Sequence, residues 1–376
     1  MMRPETEAEL AEIIKGAAAP LSIRGGNTRG MAPAGEVLET GGLSGVELYE
    51  PGALTLVVKA GTPMAEVEAL LATEGQRLPF EPMDHRALLG TTGVPTMGGV
   101  VAANISGPRR VQAGACRDYL LGVRFVDGNG VALKNGGRVM KNVTGYDLVK
   151  LMAGSYGTLG VLTEVSFKVL PQPEAAACVL IEGLSDDVAV QAMSAALGSP
   201  FDVTGAAHAP VGVDGTPVTM IRVEGFEGSV AYRAEQLKGL LGSFGDLNVE
   251  TAPERLAAGW TWIRDVEAFA GQEGDVWRIS VKPSEGPGLV DVLKRSRPDI
   301  SVLYDWGGGL IWVQTPAGDD IRPYGLKGHA TLVRASSETK ARVTMLQPEP
   351  VPVAALSKGI RQKYDPRGIL NAGLMG

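Results

Sequence analysis

The most informative segment of the chain is Thr96-Met97-Gly98-Gly99-Val100-Val101-Ala102-Ala103-Asn104-Ile105-Ser106-Gly107-Pro108-Arg109-Arg110. Its small side chains allow a ligand to approach the main chain closely, and main-chain N–H groups can donate to an anion. Between His85 and Arg117 there are four arginines and no acidic residue, in a chain whose net charge is −7. Two interpretations stay open: a pocket for a phosphate and a ring, or a buried glycine-rich loop with solvated arginines.

Two other segments strengthen the first interpretation. The loop Arg24-Gly25-Gly26-Asn27-Thr28 follows a strand predicted at 21–24 and lacks the G-x-G-x-x-G spacing, so taken alone it indicates an ordinary turn. The segment from Lys141 to Leu148 is followed by Gly157-Thr158-Leu159-Gly160-Val161, which predicts a tight turn into a strand. All three segments in this order are far more specific than any one of them.

Composition excludes several classes of protein. The 376 residues, 44% of them hydrophobic, predict a globular chain of two or three domains, and 42 Asp+Glu against 35 Lys+Arg disfavours a nucleic-acid binder. Cys116 and Cys178 are too few for a disulfide framework or an iron–sulfur cluster, and three histidines leave little for a metal site, so we predict none. The longest uncharged stretch, 87–108, has five glycines and two prolines, so we expect no membrane span and a cytoplasmic location.

The predicted elements divide the chain into three parts. Residues 1–172 mix strands and helices, as in an α+β domain. Residues 173–345 begin with the order βαββαβ, which predicts an antiparallel sheet with helices on one face, and continue with a second, partial copy that lacks a good second helix. Residues 346–376 are predicted to be a proline-rich linker, a helix and a tail that returns to the first domain.

Residues 98–171 closely resemble flavoproteins of the vanillyl-alcohol-oxidase / p-cresol-methylhydroxylase type, whose FAD-binding domain has two subdomains and carries a cap. The loop at 24–28 resembles their pyrophosphate loop and the tail at 364–371 their flavin-touching segment, although Ala372 stands where a proline is usual. Within this group, the chain most resembles the smaller FAD-binding subunit of bacterial glycolate oxidase. It rests on Ser106-Gly107-Pro108-Arg109-Arg110, Val139-Met140-Lys141-Asn142-Val143-Thr144-Gly145-Tyr146-Asp147 and Gly328-His329-Ala330-Thr331-Leu332.

This resemblance implies a set of FAD-binding residues. Some relatives attach FAD through a loop histidine, but position 27 is Asn and His85 lies outside the loop, so we expect non-covalent FAD. The residues implied for the cofactor are Arg24, Gly25, Gly26, Asn27, Thr28, Thr96, Gly98, Gly99, Ala103, Asn104, Ser106, Gly107, Arg110, Gly114, Gly157, Thr158, Gly160, Val161 and Asn371.

Catalytic residues are less well defined by the sequence. Dehydrogenation of a 2-hydroxy acid needs a base and a cation for the carboxylate, yet the histidine-rich element H-x-G-D-G-N-x-H of related enzymes is absent. Arg278 and Lys282 share one face of a strand predicted at 276–282, although a solvated strand edge is the favoured interpretation. His329 is the third weak candidate. His208 is interpreted as structural and His85 as a loop residue.

Three functional hypotheses follow. The chain is a self-sufficient flavin dehydrogenase, an FAD-binding subunit of a multi-subunit glycolate oxidase, or a scaffold with a vestigial flavin pocket. We favour the second, because the histidine element is missing whereas the flavin-binding segments look complete. The resemblance then implies a paralogous larger FAD-binding subunit and an iron–sulfur subunit as partners, and a complex that is cytoplasmic or peripheral to the inner membrane.

Overall fold

The computed structural model describes residues 1–31, 33–139 and 145–375. The segment Lys141-Asn142-Val143-Thr144, which contributes to the resemblance above, lies outside the described residues. Within them, no helix is both long and apolar enough to cross a membrane.

The amino-terminal part contains a five-stranded antiparallel sheet in the order β3-β4-β8-β6-β7 and a parallel pair, β1-β2. One core cluster covers this sheet with the helices α2, α4 and α7, and a second lies around α1. The elements in chain order are α1 Glu7–Gly16, β1 Leu21–Arg24, β2 Glu36–Glu39, β3 Val46–Glu50, β4 Thr55–Lys59, α2 Met64–Ala72, β5 Gln76–Arg77, α3 Arg86–Leu89, α4 Met97–Ala102, α5 Arg110–Ala113, α6 Cys116–Tyr119, β6 Leu120–Val126, β7 Ala132–Gly136, α7 Leu148–Met152, β8 Val161–Lys168 and β9 Leu170–Pro171.

The second part, which we call the cap, is built on one eight-stranded antiparallel sheet in the order β13-β10-β12-β11-β15-β16-β14-β17. The α+β architecture predicted from the sequence is thereby confirmed. The elements in chain order are β10 Ala175–Glu182, α8 Asp186–Leu197, β11 Val203–Ala209, β12 Val218–Gly225, α9 Glu227–Leu241, β13 Leu247–Glu250, α10 Pro253–Arg264, β14 Asp275–Ser280, α11 Gly286–Ser296, β15 Ser301–Asp305, β16 Leu310–Thr315, β17 His329–Arg334 and α12 Ser337–Arg342; a last helix, α13 Val351–Tyr364, follows the cap.

The cap sheet has the internal repeat that the order of predicted elements indicated. Strands β10 to β13 lie in the order fourth-first-third-second, and β14 to β17 have the same order in reverse, joined where β11 meets β15. No helix lies between β16 and β17, in the second copy, as expected. Helices α8, α9 and α11 cover one face of the sheet, whereas α10 and residues of the amino-terminal part pack on the other. The site described below lies on this second face.

The tail is attached to the amino-terminal part by specific contacts. Leu370 forms a parallel bridge with Leu21 of β1. The Arg367 guanidinium donates hydrogen bonds to the carbonyl oxygens of Ile14 and Ala17 at the end of α1, and to that of Gly128. The last carbonyls of a helix lack the usual partner within it, and Arg367 adds donors there, although the carbonyl of Ile14 also accepts a hydrogen bond from the N–H of Ala17.

A buried network of ion pairs holds the cap against the amino-terminal part. Glu224 of β12 accepts hydrogen bonds from Arg77 (2.9 Å) and Arg109 (2.8 Å). Glu81 lies 3.1 Å from Arg109 and 3.0 Å from Arg222 of the cap. Burial alone would raise the pKa of Glu224, but the neighbouring arginines, Arg222 foremost, lower it well below its ordinary range. These carboxylates therefore stay ionised, and the network fixes the orientation of the two parts.

Glu224→Gln tests this network. The neutral amide leaves three arginine side chains without full compensation, so we expect the free energy of unfolding to fall by about 3–5 kcal/mol. Urea unfolding followed by circular dichroism measures it. Glu235→Gln, on α9 with a side chain that is 71% exposed, is the matched control. A loss in Glu224→Gln no larger than in that control would show that the network does not stabilise the fold.

Candidate functional site

A groove runs between the glycine-rich segments and opens into a larger cavity under the cap. Two small cavities of about 90 Å³ each share the residues Ile23, Gly25, Arg29, Met31 and Gly99. A third cavity, of about 340 Å³, lies where the amino-terminal part meets the cap sheet. Arg29 and Met31 line all three cavities, so the three adjoin one another, and we treat them as one site.

The loop after β1 forms one wall of the groove. Among the described residues, the backbone N–H groups of residues 26–29 donate no hydrogen bond to a main-chain carbonyl. Asn27 adopts a positive φ of 54°, a conformation in which successive N–H groups can converge on one anion. Gly26 has a second role, because a Cβ there would lie 1.5 Å from the carbonyl oxygen of Val94. The loop is thus packed tightly against Val94 on one side, while its backbone N–H groups stay available to a ligand.

Helix α4 supplies the floor of the groove. The Thr96 hydroxyl accepts a hydrogen bond from the N–H of Gly99 at 3.4 Å and caps the helix. A Cβ at Gly98 would lie 2.7 Å from that of Ala60, so this glycine allows α4 to pack on the end of β4. A Cβ at Gly99, by contrast, would meet only the Thr96 hydroxyl within 4 Å, at 3.3 Å. The space beside Gly99 is therefore open to a ligand in the groove.

The opposite wall consists of the turn before β8 and the tail. The Asn371 side chain accepts a hydrogen bond from the N–H of Ile23 (2.7 Å) and donates to the carbonyl of Tyr156 (2.8 Å). It thereby ties β1 to the turn at 156–160, where Gly157 and Gly160 have positive φ. Asn371 lines the groove, but its side-chain atoms are used to join the walls.

The larger cavity is lined by positive and neutral residues. Arg29, Arg110 and Arg278 contribute guanidinium groups, and in the described part of the chain no Asp or Glu lines this cavity. Arg110 and Arg278 both stack over the ring of Trp306, with Cζ 4.7 Å and 5.0 Å from the ring centre. The Trp306 indole N–H donates to the carbonyl of Gly107 at 3.1 Å, so the cap touches the amino-terminal part here.

Two histidines face this cavity in their neutral form. Burial, together with the charge of Arg29, lowers the pKa of His85 to about 3. Burial and then Arg278 lower the pKa of His329 from its ordinary value. Both imidazoles are therefore uncharged at neutral pH and can accept a proton or a hydrogen bond from a ligand.

Most residues expected from the sequence line the groove or the cavity. Gly107, Gly114 and Thr158 do not. The side chains of Asn104 and Ser106 line the cavity but already accept hydrogen bonds from the N–H groups of α6. The residues that line the site are Arg24, Gly25, Gly26, Asn27, Thr28, Thr96, Gly98, Gly99, Ala103, Asn104, Ser106, Arg110, Gly157, Gly160, Val161 and Asn371, with Arg278 and His329 from the cap.

The predicted strand at 276–282 requires correction. Strand β14 ends at Ser280, because Pro283 lacks an N–H group and begins a 3-10 turn. Lys282 thus lies beyond the strand with a side chain 80% exposed, while Arg278 lies in the cavity. The solvated-edge interpretation is wrong for Arg278, and the two residues do not act on one ligand.

Several lining residues were not among those expected. Arg29, Met31, Tyr156 and Trp306 belong to this group. His85 belongs to it as well, because it is buried beside the glycine loop rather than in an open turn. Only Arg29, a cation within the glycine-rich loop, had a signal in the sequence. Trp306 reaches the site through the packing of the cap on the amino-terminal part, whereas Met31, Tyr156 and His85 belong to the amino-terminal part itself.

Comparison with known proteins agrees with this architecture. A family model described as an FAD binding domain matches residues 1–136. Glycolate oxidase subunit GlcE of Escherichia coli (strain K12) is 35% identical over 367 residues, which cover 95% of this chain and 92% of that protein. Glycolate oxidase subunit GlcD of Bacillus subtilis (strain 168) is 33% identical over 141 residues, 38% of this chain and 28% of that protein. A solved alkyldihydroxyacetonephosphate synthase shares the fold, with a TM-score of 0.71 at 16% identity over 99% of this chain and 76% of its own.

The fold and the groove define an FAD-dependent flavoprotein of the vanillyl-alcohol-oxidase type, as the sequence predicted. The similarity to GlcE, which covers nearly the full length of both proteins, assigns the chain to a narrower family. The chain belongs to the family of the glycolate oxidase subunit GlcE, among FAD-dependent 2-hydroxy-acid oxidoreductases.

Asp305, directly before Trp306, gives the site a pH dependence that can be measured. Burial raises the pKa of its carboxyl group to about 7, although the N–H of Trp306 donates to it at 2.7 Å. Between the ordinary pKa and about 7, the native protein binds more protons than the unfolded chain. The free energy of unfolding should therefore fall as the pH rises through this window, by at most about 1.4 kcal/mol per pH unit, and level off above it.

Asp305→Asn should remove this slope. Thermal unfolding at a series of pH values from 5 to 8 gives the difference between wild type and variant, with the exposed Asp246→Asn as control. Parallel profiles for the wild type and Asp305→Asn would show that Asp305 is ionised throughout.

Proposed function

We propose that the chain is the FAD-binding subunit of a multi-subunit oxidoreductase that oxidises glycolate, with electrons leaving the flavin towards an iron–sulfur subunit. The similarity to a glycolate oxidase subunit over 95% of the chain is the observation that carries this proposal. The groove supports it, because a bound FAD would meet an uncharged floor in the middle and, at one end, N–H donors that have no main-chain partner among the described residues.

In this proposal, the FAD pyrophosphate lies against Arg24, Gly25, Gly26, Asn27 and Thr28. The ribityl chain and the ring follow α4 and the segment after it, towards the cavity at the cap. FAD supplies a two-electron acceptor there, while the protein supplies binding, orientation and charge. Thr158, Gly107 and Gly114 then contribute to the shape of the walls rather than to contacts.

FAD is held without a covalent bond in this proposal. Position 27, in the loop, is Asn, and the histidines at the site are His85 and His329. Acid precipitation should therefore release the yellow chromophore into the supernatant. Colour retained in the precipitate would point to attachment through one of these two histidines.

The partners in the proposal are a larger paralogous FAD-binding subunit and an iron–sulfur subunit. Cys116 and Cys178 are both buried, and a cysteine-ligated cluster requires more thiolates than this chain has. The chemistry on the hydroxy acid is assigned to the paralogous subunit, because the histidine-rich element is absent from this sequence. We place the complex in the cytoplasm, with any contact to the inner membrane made through other subunits.

Gly99→Val tests the position of the cofactor. The new side chain fills the space beside α4 with little contact to the protein itself, so the chain should fold but bind FAD at least about tenfold more weakly. Flavin fluorescence titration of the apoprotein measures the affinity. Gly239→Val, in an open position of helix α9, is the matched control. Unchanged FAD affinity in Gly99→Val would place the cofactor elsewhere.

Anaerobic addition of glycolate separates the three functional hypotheses. We expect the purified chain to show flavin absorbance that glycolate bleaches only after partner subunits are added. Bleaching in the chain alone would show that it is a self-sufficient dehydrogenase. A chain without flavin absorbance, and unable to bind added FAD, would be a scaffold.

A further inference from the structure

A large groove adjoins the ion-pair network on the side of α9 and α10, and we call it the helix groove. Its volume of about 1080 Å³ is about three times the 340 Å³ of the cavity under the cap. Val230 and Ala234 of α9 line one wall, and Leu256 and Trp260 of α10 line the other. Among the described residues, none lines both this groove and the site described above, so the two are separate.

The floor of the helix groove is an open edge of the cap sheet. Strand β10 pairs with β12 over its whole length, but with β13 only from Cys178 to Ile181. In the described part of the chain, residues 175–177 therefore have a neighbouring strand on one side only, and they line the groove. Backbone polar groups of an antiparallel strand point alternately to its two neighbours, so some N–H and C=O groups of 175–177 have no strand to bind.

Specific contacts keep β13 from covering this edge. The Glu250 carboxylate accepts hydrogen bonds from the N–H groups of Thr251 (2.9 Å) and Ala252 (2.8 Å). Pro253 then starts α10, so the chain leaves the sheet at the residue that would lie opposite Ala177. Charged residues or prolines commonly protect an open strand edge, but this edge consists of three alanines. Their small side chains allow another backbone to approach closely.

The unpaired charge of the helix groove is negative. Among the described residues, each lysine and arginine of the lining lies within 4.0 Å of a carboxylate, both in the ion-pair network and outside it. Three carboxylates of the lining have no such cation within that distance, and all three belong to exposed residues: Glu68, Glu174 and Glu227. Charge complementarity therefore favours an occupant with basic side chains.

We propose that the helix groove binds an extended, basic segment of a partner protein, which adds a strand to the open edge of β10. Backbone hydrogen bonds to 175–177 hold the segment, its apolar side chains contact α9 and α10, and its basic side chains meet the carboxylates at the rim. The edge is recessed between two helices, which favours a single extended segment over the sheet edge of a second copy. This proposal does not rest on the proposed function, because it involves neither the flavin nor a hydroxy acid.

The probe is an eight-residue peptide of alternating valine and lysine, blocked at both ends and labelled with a red-emitting dye. Fluorescence anisotropy measures its binding to the full chain with FAD present. We expect the same peptide with alternate backbone nitrogens methylated to bind at least about tenfold more weakly, because it loses hydrogen bonds to the strand edge. A peptide with glutamate in place of lysine should also bind more weakly, since it brings like charges together.

Variants locate the peptide. Ala257→Trp fills the groove from an exposed position on α10, so we expect it to weaken binding at least about tenfold. Ala258→Trp is the matched control, because Ala258 is also exposed on α10 but does not line the groove. Glu68→Gln should weaken binding about twofold to fivefold, while Glu66→Gln, on α2 outside the groove, should not.

Four outcomes would each overturn the proposal: no binding of the lysine peptide, equal binding of the methylated peptide, equal binding of the glutamate peptide, or equal effects of Ala257→Trp and Ala258→Trp. Sedimentation velocity adds a fifth, because a dimer of the chain that Ala257→Trp dissociates would assign the groove to a second copy. The peptide comparisons use the wild type and stay decisive even where a variant fails to fold. Flavin absorbance of the same samples tests the proposed function separately.

Discussion

Five charged side chains between the cap and the amino-terminal part determine where the cavity can form. Close pairing offsets much of the cost of burying these ions, so this network favours one relative orientation of the two parts. Its members adjoin the site in the sequence: Arg109 precedes Arg110, and Glu81 lies four residues before His85. The ion pairs on one side of the boundary therefore help to position Arg110 and His85, which line the cavity on the other side. The five residues are Arg77, Glu81, Arg109, Arg222 and Glu224.

The glycines of the groove act in two ways that the sequence does not separate. Gly26 and Gly98 are required by the protein's own packing, because a Cβ would collide with the main chain of Val94 or with Ala60. Gly99 meets almost nothing, and its missing side chain leaves room for a ligand. Close packing behind the walls and open space in front of them are both necessary for a narrow groove that admits a flat cofactor.

The two copies of the repeat in the cap sheet have different roles. The first copy, β10 to β13, contributes Arg222 and Glu224 to the network of ion pairs. The second, β14 to β17, contributes Arg278 and His329 to the cavity, together with Trp306 from the turn after β15. No helix lies between β16 and β17, so β17 follows a long loop and its first residue, His329, comes to lie at the cavity. The same arrangement of strands thus serves attachment in one half and lines the cavity in the other.

The sequence by itself determined the α+β architecture, the repeat in the cap and the glycine-rich groove, because periodicity and turn residues act locally. The sequence also marked Arg278 as a candidate site residue, but it placed Lys282 on the same strand. The alternation of side chains along a strand shows which residues share a face and does not show where the strand ends. Only the tertiary structure decided that Arg110, Arg278 and Trp306 form one cluster and that His85 belongs to the site. These residues come from distant parts of the chain, and their meeting depends on how the cap packs on the amino-terminal part, which no local pattern in the sequence records.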